Sequence, residues 1–188
     1  MKTRGFTLIE SLVAVAIVAL AVGGPLYAAN RALVAAEISR DRLTAIYLAQ
    51  EAIEQARHVR DTAYLNDYKN NGQDTSGSWQ KFRDLILTGP VNCRTPSICT
   101  VEPTSHQFAA YTPPAVPPPL YNDSAGTRQY TQNKPGATSK PTIFTRTIQV
   151  VSESTTDPVG MELAATTSWT FHGTSYSVTI TDHLTAWQ

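Results

Sequence analysis

Hydrophobic positions fall into stretches of different period along the chain. From Phe6 to Ala29 they are nearly continuous (FTLIESLVAVAIVALAVGGPLYAA), and Glu10 is the only charge between Arg4 and Arg31. As a helix this run extends about 36 Å, enough to cross a hydrocarbon core of about 30 Å. From Asn30 the pattern becomes amphipathic. Leu43, Ile46, Ala49, Ile53 and Ala56 recur at spacings of three and four, while Arg40, Glu51, Glu54 and Arg57 take other faces. One helix from about Phe6 to about Arg60 is predicted, with one buried stripe in its second half. Pairs such as Glu54 with His58 and Arg57 with Asp61 add about a few tenths of a kcal/mol each, so the stripe decides.

The end of the chain switches to period two. Met161, Leu163, Ala165, Thr167, Trp169 and Phe171 alternate with Glu162, Ala164, Thr166, Ser168 and Thr170, which predicts a strand with the Trp169 face inside. His172-Gly173-Thr174-Ser175 makes the turn, and Tyr176, Val178, Ile180 and Leu184 mark the inner face of the last strand. Residues from Ile143 to Val151 supply an earlier one. Between helix and strands, Asn66 to Ser78 is polar with a turn signal at Asn71-Gly72, and Ser78 to Ile86 reads as a short helix. Ten of the twelve prolines lie between Pro90 and Pro141, and the run from Pro113 to Pro119 favours polyproline II. That segment reads as a long surface excursion. The predicted class is α+β: a long N-terminal helix, transmembrane then amphipathic, packed on three antiparallel C-terminal strands. The divisions are 1–5, a basic leader; 6–29, the membrane run; 30–61, the amphipathic half; and 62–188, a head with the Pro-rich excursion at 90–141 and a β meander at 142–187.

Lys2 and Arg4 precede the apolar run, and positive charge stays cytoplasmic, so the head is expected outside. An ordinary secretory signal with cleavage near Ala19-Leu20-Ala21 is one reading of such a start. Glu10 argues against it, because an intramembrane carboxylate costs about 2.5 to 3.5 kcal/mol at mid-membrane and needs a partner. Gly23-Gly24-Pro25 interrupts the run: proline removes the hydrogen bond to the Ala21 carbonyl and the glycines lower helix propensity, so a bend or unwinding is expected there.

Gly5-Phe6-Thr7-Leu8-Ile9-Glu10, behind a short basic leader and ahead of a long apolar helix, resembles the N-terminal signal of type IV pilins and type II secretion pseudopilins. The resemblance implies cleavage after Gly5 by a prepilin peptidase and N-methylation of Phe6. It also implies that Glu10 pairs with the N-terminal amine of a neighbouring subunit during filament assembly, where each charge neutralises the other. A pilin-like ladle fold follows from the same resemblance. The implied partners are other pilins or pseudopilins, the peptidase, an inner-membrane assembly platform and membrane lipid. The implied location is the bacterial inner membrane, single pass with an extracytoplasmic C-terminus, and then a pilus or pseudopilus.

Composition sharpens this reading. Fifteen basic side chains balance fifteen acidic ones, so no overall basic field suggests nucleic acid, except in the role of a competence pseudopilin for DNA uptake. Cys93 and Cys99 lie in a head expected outside the cytoplasm, where disulfides persist, so a bridge is expected. Neither a CxxC nor a paired-histidine pattern points to a metal. Asp67, Asn70, Asn71 and Asp74 surround Gly72, but their spacing does not fit a calcium loop and a solvated turn is expected. The histidines 58, 106, 172 and 183 stand in unrelated contexts with no nucleophile motif beside them and read as surface residues. No catalytic site, metal or cofactor is expected. Two classes of function remain: a structural filament subunit, best read as a minor pilin or pseudopilin, and a membrane-anchored extracytoplasmic binding module using the Pro-rich excursion. A carboxylate at Glu10 favours the first, since a plain anchor gains nothing from it.

Overall fold

The structure is a computed structural model in which residues 7–72, 74–122, 130–133, 136, 139–156 and 159–186 are described. The elements in chain order are α1 (Leu8–Asn70), α2 (Ser78–Leu87), β1 (Ile98–Val101), β2 (Phe108–Tyr111), β3 (Tyr121–Asn122), β4 (Tyr130–Thr131), β5 (Phe144–Ser154), β6 (Gly160–Phe171) and β7 (Thr174–Thr185). Two compact units divide the chain, Met1–Asp41 and Arg42–Gln188.

In the first unit α1 buries nothing. Apolar side chains from Leu8 to Leu33 are exposed on all sides, so this part of the helix has no core of its own within the chain.

In the second unit α1 covers an antiparallel sheet, as the fold class requires. Its buried seam is Ala45, Leu48, Ala49, Ala52, Ile53, Ala56 and Val59. Of the expected stripe, Ala49, Ile53 and Ala56 lie in this seam, whereas Ile46 is only partly buried and Leu43 is 56% exposed, so the seam is centred on the alanines. The reason is volume. Alanine carries only a Cβ, so helix backbone can approach the large side chains Met161, Leu163 and Trp169 on the sheet. The helix also continues past Arg60 to Asn70, ending at a turn in which Gly72 takes φ +64°. Behind it, α2 inserts Phe82 and Ile86 into the same core, each side chain contributing about 1.5–3 kcal/mol by burial.

The sheet has five strands in the order β2-β1-β5-β6-β7. Strands β5, β6 and β7 are the meander read from the alternation. The β6–β7 hairpin closes through His172 (φ +49°) and Gly173 (φ +80°), the pair of positive φ values that a two-residue turn needs. Trp169 is buried from β6, and Tyr176 stacks on it from β7 with ring centroids 5.6 Å apart.

The excursion is corrected most. Residues 90–141 supply β1 and β2, which extend the sheet beyond β5, and the separate two-stranded β3–β4 pair. They also place Leu120, fully buried, between Phe144 and α1. Its backbone donates to the Phe144 carbonyl (2.8 Å) and accepts from the Thr142 N–H (2.7 Å), so the Pro-rich segment is stitched to the start of β5.

Candidate functional site at the apolar helix start

The N-terminal part of α1 is built around Thr7 and Glu10. The Thr7 carbonyl accepts from the N–H groups of Glu10 (3.1 Å) and Ser11 (3.3 Å), which closes the first turn. Ser11 Oγ donates to the Leu8 carbonyl at 2.9 Å. Glu10 therefore sits where the helix dipole is positive, and that local field favours a carboxylate. Its side chain is exposed beside Leu8, Ile9, Leu12 and Val13, all exposed as well. Glu10 is thus a lone anion on a helix with no apolar covering within the chain. Gly5 and Phe6, the expected processing and methylation positions, lie outside the described residues.

At Gly23-Gly24-Pro25 the helix runs on without a break, so the expected unwinding is not found in the single chain. Proline's fixed φ is compatible with a helix, while its ring removes the bond to the Ala21 carbonyl and crowds that oxygen. Both glycines face open space, with nothing within 4 Å of a built Cβ, so no close approach within the chain demands them.

The described part of α1 contains the one helix long and apolar enough to cross a membrane among the described residues. Residues 1–24 match the prokaryotic N-terminal methylation motif. The motif supports a type IV pilin-like or pseudopilin precursor, and the long apolar helix that begins within it fits a membrane-anchored pilin. The motif implies processing by a prepilin peptidase and assembly with other pilins. No curated protein and no solved structure matches the chain.

The head carries a disulfide and several buried polar clusters. Cys93 and Cys99 form a disulfide, and both are in the core, 2% and 0% exposed. Although it lies in the segment read as a surface excursion, the bridge joins three elements. The Cys93 N–H donates to the Ile86 carbonyl at the end of α2 (2.9 Å), its carbonyl accepts from the Val150 N–H on β5 (2.8 Å), and Cys99 lies on β1.

Arg146 on β5 is 1% exposed and was not singled out by sequence. Its guanidinium donates to Glu51 of α1 (2.5 Å) and to the carbonyls of Val101 (3.2 Å) and Leu48 (3.4 Å), while Nε has no partner. Burial pulls its pKa down, and Glu51 opposes that shift. Nearby Glu102 accepts from the Thr131 hydroxyl (2.6 Å) and the N–H groups of Gln132 (3.1 Å) and Asn133 (3.2 Å). The only signal for Arg146 is an arginine at a core position of an alternating strand, which sequence alone reads as an edge.

Asp67 is also buried rather than part of a solvated turn. It accepts from Ser78 Oγ (3.0 Å) and from Lys81, and Lys81 holds its carboxyl below the usual carboxylate range, with Ser78 adding to this and burial opposing. Asp67 thus locks α1 to α2, while Asn70, Asn71 and Asp74 are exposed around the turn. Glu153 is held low in the same sense, by Arg83 first and then Arg94. Arg57, paired in the sequence reading with Asp61, bonds instead to Asp182 on β7 (3.1 and 2.8 Å) and to Glu54 (2.6 Å).

Of the histidines, 58 and 106 are brought together, stacked with centroids 4.1 Å apart, and His106 Nδ1 lies 2.6 Å from Gln55 Oε1. His172 and His183 are apart from them, on the hairpin turn and on β7. Among the described residues no group of three or more His, Cys, Asp or Glu side chains could hold a metal ion.

Proposed function

We propose that the chain is a minor subunit of a type IV pilus or type II secretion-like filament, a minor pilin or pseudopilin. It enters the filament through its N-terminal helix after cleavage between Gly5 and Phe6 and methylation of Phe6. The observation that carries this is Glu10, the only charge between Arg4 and Arg31, in register with the matched motif and exposed on a helix whose apolar side chains are uncovered. An exposed apolar helix needs lipid before assembly and neighbouring subunits afterwards. A carboxylate among those side chains is costly in hydrocarbon unless a cation meets it, and the methylated terminus of a neighbour supplies one. The reading is of a structural protein: peptidase, assembly platform and motor are other chains, and no cofactor is needed. The head is extracytoplasmic, which agrees with the buried disulfide. The minor assignment is supported by the Pro-rich segment, whose bulk would repeat at every step of a shaft.

Intact-mass measurement of protein extracted from membranes tests the processing. The expected species starts at methylated Phe6 and carries 13 basic against 15 acidic side chains, since Lys2 and Arg4 leave with the leader. An uncut Met1, or a chain beginning after Ala21, would overturn the proposal.

A further inference from the structure

The sheet ends on β7, and no described strand pairs with its outer side. The two-residue hairpin is closed by Phe171 opposite Thr174, a hydrogen-bonded pair, and bonded and non-bonded pairs alternate from there. The even-numbered residues of β7 therefore direct their backbone groups to β6. Ser175, Ser177, Thr179, Thr181, His183 and Thr185 direct theirs outward. Arg60 reaches the Thr185 carbonyl at 3.4 Å and covers one end. Apart from Asp182, whose charge meets Arg57 on the helix side, the strand lacks the devices that blunt exposed edges: from Thr174 to Thr185 there is no Lys, Arg, Pro or Gly, and the register with β6 has no shift along all twelve residues. The opposite edge, β2, is only four residues long.

A groove of about 460 Å³ runs beside this edge. Gln50, Ile53, Glu54 and Arg57 of α1 form one wall, and Ile180 and Asp182 of β7 the other. No residue of β6 lines it, so it follows the outer margin of the sheet. Ile53 and Ile180 supply its apolar part. Its rim carries two carboxylates, Glu54 and Asp182, against one guanidinium, Arg57, which is already engaged with both.

We propose that this strand–helix groove binds an extended segment of another polypeptide as an added antiparallel strand on β7. Alternate side chains of that segment face the groove, an apolar one over Ile53 and Ile180 and a lysine or arginine two residues along at Glu54 and Asp182. Backbone bonding supplies the affinity and the two wall chemistries supply the choice. The site goes beyond the filament reading and does not rest on it.

Antiparallel addition makes a parity demand. Residues of the segment that point into the groove oppose the even-numbered residues of β7, so their N–H groups face away, and the intervening residues donate to the edge. The probe is the labelled peptide acetyl-Thr-Val-Thr-Lys-Thr-Val-Thr-amide, read by fluorescence anisotropy against the full chain in detergent micelles. Saturable binding is expected. N-methylation of the central threonines should weaken it about tenfold or more, while N-methylation of the valines and lysine leaves it within about twofold. Thr179→Ala removes the hydroxyl bonded to Thr166 (2.8 Å) and serves as the reference, and Thr179→Pro, which also removes the outward N–H, should bind about tenfold more weakly than Thr179→Ala; E54K should weaken this peptide and favour one with glutamate in place of lysine. The proposal is overturned if the unmodified peptide does not bind, or if both N-methylated sets bind alike.

Discussion

The buried Arg146–Glu51 pair makes an asymmetric prediction. Glu51→Ala leaves a guanidinium 1% exposed with two carbonyl acceptors and no bonded counter-charge, only the weaker field of Glu102. Breaking a buried pair from one side costs about 3–5 kcal/mol. The Glu51 side chain is 31% exposed, so water can reach the vacated space, and the lower end, about 3 kcal/mol, applies. For a chain of this size that lowers the unfolding temperature by roughly 6–12 °C. Arg146→Met removes the cation instead. Glu51 then turns into water, the methionine fills most of the volume, and the loss should be about 1 kcal/mol. The double variant should recover most of what Glu51→Ala lost. Thermal unfolding in detergent micelles, followed by tryptophan fluorescence, reports this because Trp169 is buried in the head while the membrane helix has no tryptophan. If Glu51→Ala proves no worse than Arg146→Met, the claim that desolvated charge dominates at this site fails.

Acid should destabilise the head through Glu153 and Asp67. Both have folded-state pKa values depressed by cationic partners, so their contribution is present above the unfolded carboxylate range, about 4, and is lost as pH falls through the lower folded values. Glu153→Gln should reduce stability at neutral pH and flatten the fall below pH ~4, which pH-dependent melting would check. Replacing Cys93 and Cys99 by alanine should lower stability by about 2 kcal/mol from loop closure alone, and in one cooperative transition because both sulfurs lie in the core; a calorimetric trace with unchanged midpoint would contradict this. Glu10→Leu should insert into membranes as well as the wild type yet be depleted from sheared filaments, quantified by mass spectrometry; recovery at the wild-type ratio would remove the assembly role.

Much of the chain was legible because its signals are local. The apolar run with its single glutamate, and the strict alternation of β6, are properties of residues within a few positions of one another, and each meets one environment over its whole length. The Asn71-Gly72 turn and the short helix at Ser78 belong to the same class. Glycines there and at Gly173 mark positions where φ is positive, a constraint carried by the residue itself. Local pattern therefore suffices for the apolar N-terminal helix with its single glutamate and for the α+β class.

Tertiary structure decided the rest. Whether Leu43 or Ala45 faces the sheet depends on the width of the gap, which the large side chains of β6 set from more than a hundred positions away. The strands β1 and β2 hide in a Pro-rich composition because four-residue strands are too short to show a period, and they exist only where β5 offers an edge to pair with. The disulfide passes from a surface clip to a core element for the same reason. Arg146 reads as a surface charge until α1 brings Glu51 to it. Such placements are pairings between distant segments, and no local pattern encodes a pairing whose energy comes from excluding water between two surfaces that meet only in the folded chain.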